Sequence, residues 1–137
     1  MFTELRAGDS DPKKWGFYAL MVFYAFAGLN HFLMPDFYLG LIPDYFDSKP
    51  TYNALAGVGE ILVAIGLYYP LSRKAGVYGI LFLLLAFIPA HIDFIRVGAC
   101  VTDSLCVPEW VAWVRLILIH PFLIWWAWIY RNYRIKD

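Results

Sequence analysis

Apolar residues along this chain fall into four long runs, residues 15–34, 51–70, 75–95 and 109–130, with nearly all charges in the stretches between them. Each run has about the twenty residues that an α-helix needs to cross a ~30 Å hydrocarbon core, so the pattern predicts four membrane spans. The link Leu71-Ser72-Arg73-Lys74 is short enough to force the second and third spans into an antiparallel hairpin. Residues 35–50 behave differently. Three aspartates make them too polar to span, while Phe37, Tyr38, Leu41, Ile42, Tyr45 and Phe46 make them too apolar to stand in water. They are expected to form an amphipathic segment in the membrane interface, broken at Pro43, serving as an aromatic anchor or as a lid. The expected fold class is an all-α membrane protein: one domain over residues 1–137, built as a four-transmembrane-helix bundle.

Composition supports this reading, since 61% apolar residues, 20% of the chain aromatic, exceed the roughly 45–50% apolar content of soluble domains. Charge placement adds direction. Lys13, Lys14, Arg73, Lys74, Arg131, Arg134 and Lys136 flank one side of a four-span arrangement, and Asp36, Asp44, Asp47, Asp103 and Glu109 the other, with Lys49 and Arg96 as exceptions. By the positive-inside rule both termini are expected in the cytoplasm, the chain lying in the inner (plasma) membrane. A formal net charge of zero argues against a basic nucleic-acid surface.

Candidate chemistry lies within the spans. Glu60 stands near the middle of the second run, where a carboxyl group costs several kcal/mol unless it is protonated, paired or hydrated. Asn53, Gly57, Glu60 and Ala64 share one helical face rich in small residues, which favours packing against other helices over contact with lipid. Counting ~1.5 Å per residue from the outer ends puts His31 and His91 at roughly 6 Å depth, Arg115 at about 9 Å, Glu60 at about 14 Å and His120 at about 16 Å. Four helices thus bring ionisable groups into one layer of the outer half. Glu60 with Arg115 is the ion pair first expected, either as part of a site or as a pin for helix register. Three histidines near one acid suit proton handling or ligand binding. Pro89 and Pro121 should kink their helices beside His91 and His120 and free the carbonyls near Leu85 and Ile117. Cys100 and Cys106, in the polar connection before the fourth span, are expected to form a disulfide on the outer side.

Several stretches resemble the DoxX and DoxX-like family of small bacterial membrane proteins. They are Gly28-Leu-Asn-His31-Phe32 with Pro35 and Ile42-Pro43, Gly57-Val-Gly-Glu60 with Gly66-Leu and Pro70, Ile88-Pro89-Ala90-His91-Ile92, and Trp113-Val-Arg115-Leu with Trp125-Trp126-Ala127. His31, Glu60 and Arg115 match the family pattern, whereas His91 and His120 stand where it often shows Asn and Gln. The resemblance implies a four-helix bundle and, for some members, quinone-linked sulfur oxidation or membrane redox complexes. Three functions are therefore weighed. One is a redox-associated subunit, possessing a site for a quinone or similar apolar ligand. Another is a metal site of His31, His91, His120 and Glu60, which the Arg115 guanidinium would oppose. The last is a non-enzymatic subunit or lipid or solute binder. Expected partners are the lipid bilayer and other membrane or redox subunits, or further copies of this chain.

Overall fold

The computed structural model describes residues 11–135; Lys136, expected among the flanking basic residues, lies outside them. The described chain is helical: α1 Pro12–Leu33, α2 Pro35–Leu39, α3 Lys49–Tyr68, α4 Arg73–Arg96, α5 Glu109–Val114, a π-helical turn Arg115–Ile119, and α6 His120–Ile129. Among the described residues four helices are long and apolar enough to cross a membrane, namely α1, α3, α4 and the composite Glu109–Ile129. They begin and end within three residues of the expected spans. The added residues are polar ones in first turns. Asp11 accepts a hydrogen bond from the Lys13 amide at 3.0 Å, and Pro12 supplies a preset φ, so α1 starts ahead of its apolar run.

Pro121 explains the π turn. It has no N–H for the Ile117 carbonyl and its ring crowds that oxygen, so the ladder widens just before it. By contrast α4 continues as one helix through Pro89.

One end of the bundle gathers the basic segments. The Tyr130 hydroxyl donates to the Lys13 carbonyl at 2.9 Å, and the Phe17 ring meets those of Tyr130 and Tyr133 at 5.5 and 5.2 Å. Arg73, expected as a flanking charge, is instead buried here. Its Nε donates to the Leu67 carbonyl at 3.0 Å and its guanidinium lies 4.9 Å from the Phe17 ring centre, capping carbonyls that the end of α3 leaves unpaired. Above it, Phe17, Leu20 and Tyr24 of α1, Val63, Ala64 and Leu67 of α3, and Val77, Ile80 and Leu84 of α4 form the core. Two glycine crossings set its spacing. A Cβ at Gly28 would lie 2.7 Å from the Gly57 carbonyl oxygen, and one at Gly76 would lie 2.9 Å from the Leu67 nitrogen. Most of each helix surface faces outward and is apolar.

The opposite end is acidic. Both basic exceptions are neutralised there, Lys49 by Asp44 at 2.6 Å and Arg96 by Asp93 at 2.7 Å. The Lys49 ammonium, hydrogen-bonded to Asp44, holds that exposed carboxyl below the usual carboxylate range. After α4 the chain turns through Gly98 (φ +85) and Ala99 (φ 57) into a small hairpin, 99–107, with Cys100 opposite Cys106. The expected disulfide joins them. The hairpin and the loop after α2 share a small core, in which Leu41, Val101 and Leu105 pack against the buried cluster of Phe94, Ala99 and Ala112. The Ser104 hydroxyl also donates to the Phe37 carbonyl.

Candidate functional site

Where α1 crosses α3, near the acidic end, three buried polar side chains meet. The Asn53 amide nitrogen donates to the His31 carbonyl at 3.0 Å, which leaves Asn53 Oδ1 as the acceptor facing His31 Nδ1 at 2.7 Å. Nδ1 therefore carries a proton, and a neutral ring has a bare Nε2. That Nε2 lies 3.3 Å from Glu60 Oε2. The two facing atoms are close enough for a proton on either one to bring them into a hydrogen bond. The alignment is loose, so Oε2 is buried without a hydrogen-bond partner among the described residues, and the Tyr24 hydroxyl shares that condition. Tyr24 lies two helical turns from His31 on the same face of α1, within electrostatic reach of Glu60.

Tyr38 of α2 forms a roof over this cluster. Its ring stacks on His31 with centres 3.8 Å apart, and its hydroxyl accepts a hydrogen bond from the Asn30 side chain at 2.9 Å. Sequence reading allowed residues 35–50 either an anchoring or a lid role. The part of the segment that bears Tyr38 does cover His31.

The remaining expected residues gather on the other two spans. His120 is buried, and its Nε2 donates to the Leu84 carbonyl at 2.5 Å, one residue from the carbonyl that Pro89 was expected to free. Its ring meets that of His91 edge to face at 5.1 Å. Arg115, on the π turn, is exposed and within electrostatic reach of Tyr38, Glu60 and His91. The expected Glu60–Arg115 ion pair does not form: among the described residues Glu60 pairs with His31, and Arg115 makes no ion pair within 4 Å.

Side-chain lean explains this pairing, because a helical side chain tilts toward its own N-terminus. His31 on α1 leans away from the acidic end while Glu60 on antiparallel α3 leans toward it, and the two close an apparent depth gap of about 8 Å. His91 and His120 close theirs in the same way. Arg115 leans in the same direction as Glu60, so nothing brings it down to the acid.

The residues expected in one layer meet in two separate contacts, His31 with Glu60 and His91 with His120, and Arg115 joins neither through an ion pair. Among the described residues no three of His, Cys, Asp and Glu gather closely enough to hold a metal ion. Sequence reading left Tyr24 and Tyr38 out of the site and gave Asn53 no role beyond its helical face. An apolar groove of about 410 Å³, lined by Met21, Val22, Ala25, Leu29, Ile61, Ala64, Ile65 and Tyr68, runs along the α1–α3 seam on its outward side.

Residues 20–131, most of the chain, match the model of the family described as a domain of unknown function (DUF8561). No curated protein and no solved structure matches the chain.

Proposed function

We propose, for a chain that belongs to the DUF8561 family, that it is an integral inner-membrane protein with four spans and cytoplasmic termini, holding a proton-active ligand site in its outer half. The observation that carries this reading is the His31–Glu60 pair: two buried side chains with Nε2 3.3 Å from Oε2, Asn53 fixing the ring, and the Tyr24 hydroxyl and Glu60 Oε2 without hydrogen-bond partners among the described residues. A buried acid and a buried phenol are costly to keep unpartnered, and a polar ligand head would pair both.

The ligand class favoured is a quinone or similar amphiphile. Its ring oxygens need a hydrogen-bond donor in one redox state and an acceptor in the other. Tyr24 and the His31–Glu60 pair provide donor and acceptor at one place, while the apolar groove on the α1–α3 seam suits a hydrocarbon tail. A quinone, when bound, would supply two-electron chemistry; this chain would supply and take up the proton at Glu60 Oε2 and His31 Nε2. On this reading the protein is a redox-associated subunit, in keeping with its resemblance to DoxX-like proteins, and works with other membrane redox subunits or further copies of itself.

Native mass spectrometry of the detergent-purified protein tests the proposal, alongside Glu60→Gln and Tyr24→Phe. A quinone-sized adduct on the parent, weakened in both variants, is the expected result. A folded parent that stays empty when incubated with a quinone would overturn it and leave the pair as a pin between α1 and α3.

A further inference from the structure

The disulfide and the roof are mechanically joined. Cys100 and Cys106 are both exposed, and they close a hairpin whose other internal bonds are three: the Val101 amide to the Leu105 carbonyl at 2.9 Å, the Ser104 amide to the Val101 carbonyl at 3.1 Å and the Val107 amide to the Ala99 carbonyl at 3.0 Å. Two of its non-glycine residues, Ala99 (φ 57) and Asp103 (φ 61), hold a left-handed backbone that side chains disfavour. The hairpin in turn holds α2. Ser104 donates to the Phe37 carbonyl, a Cβ at Gly40 would collide with Ser104, and Leu41 and Val101 pack against the same buried cluster. Phe37 is the residue before Tyr38, whose ring lies on His31.

We propose that Cys100–Cys106 is a thiol-exchange site: a dithiol reductant opens it, and the opening releases the Tyr38 ring from His31. One reductant thiolate attacks a cysteine sulfur, breaking the S–S bond and forming a mixed disulfide. The second reductant thiolate attacks that mixed disulfide, frees the remaining cysteine and leaves the reductant as its own disulfide. Two electrons and two protons pass to Cys100 and Cys106. With the cross-link gone the left-handed residues relax, Ser104 leaves the Phe37 carbonyl, and the Asn30 hydrogen bond and His31 stacking of Tyr38 lose the hairpin's support. This inference concerns access to His31 and stands whatever ligand occupies the site.

The test uses the full chain in detergent, with dithiothreitol as the reductant and diethyl pyrocarbonate as the probe of imidazole access. Reduction without denaturant should give two maleimide-reactive thiols per chain. The rate of His31 modification, read by peptide mass spectrometry against His91 and His120, should then rise about tenfold, the size expected for losing a ring contact and a hydrogen bond of ordinary strength. Cys100→Ser with Cys106→Ser should show the fast rate without reductant, and Ser104→Ala should show part of it with the disulfide intact. Thiols that appear only in denaturant, an unchanged His31 rate, or loss of helical circular dichroism on reduction would each overturn the proposal. Should the double variant fail to fold, the reduced parent alone still decides the matter.

Discussion

Asn53 has the most demanding position of any side chain at the site, because one amide group both fixes the His31 ring and satisfies the His31 carbonyl. Asn53→Ala removes both bonds at once and leaves a donor and an acceptor unpaired in an apolar setting. We expect a loss of about 1–3 kcal/mol, seen as a lower thermal midpoint in detergent. Asn53→Asp should cost at least as much, since a buried carboxylate cannot donate to the His31 carbonyl and would set two acceptor oxygens against each other. Depth counts singled out His31, Glu60, His91 and His120, which do meet in pairs. The pairing itself was not legible, because a count along the axis omits the lean of each side chain, and the lean is what brings His31 to Glu60 and keeps Arg115 away. Tyr24 was overlooked since a tyrosine within an apolar run looks like any other ring. A signal was nevertheless present: Tyr24, Gly28 and His31 are spaced by four and three residues, as are Asn53, Gly57 and Glu60. On antiparallel helices those triplets face one another with the glycines in the middle.

Among the helices, α1 and α3 meet in close backbone contact where Gly28 crosses Gly57. Gly28→Ala would set a methyl 2.7 Å from the Gly57 carbonyl oxygen, an atom that cannot move alone, so the helices must part. The expected cost is about 1–3 kcal/mol, the usual range for overpacking, with separation of His31 from Glu60 as a side effect. Gly59→Ala offers the contrast. Its added methyl meets the flexible end of Leu83 at 3.1 Å, and folding stability should change little. Comparing the two thermal midpoints checks the assignment of the crossing. Helix existence and order were legible from hydropathy, whereas helix starts were not, because Pro12, Lys49 and Pro50 occupy first turns where polar and proline residues are at home. The π turn was half legible: Pro121 announced a disturbance, and only the structure shows it as a widened turn carrying Arg115.

Across the whole molecule, charge separates the two ends, and the separation survives close inspection because the two exceptions, Lys49 and Arg96, each sit against a carboxylate. This supports the proposed orientation and makes it testable. Asn132 is exposed at the basic end, and the native cysteines are joined to each other. In sealed cells, Asn132→Cys should resist a membrane-impermeant maleimide until the membrane is permeabilised. Immediate labelling would reverse the topology. The opposed lean of His31 and Glu60 also has a mechanical meaning. If α1 slid along α3 by a single residue, about 1.5 Å, the 3.3 Å contact between their facing atoms would open beyond bonding reach in one direction and be compressed in the other. A bilayer of different thickness changes helix tilt and so acts on this offset. In the proposed membrane setting, thickness would become a variable of the site, acting at the helix crossing where Gly28 meets Gly57.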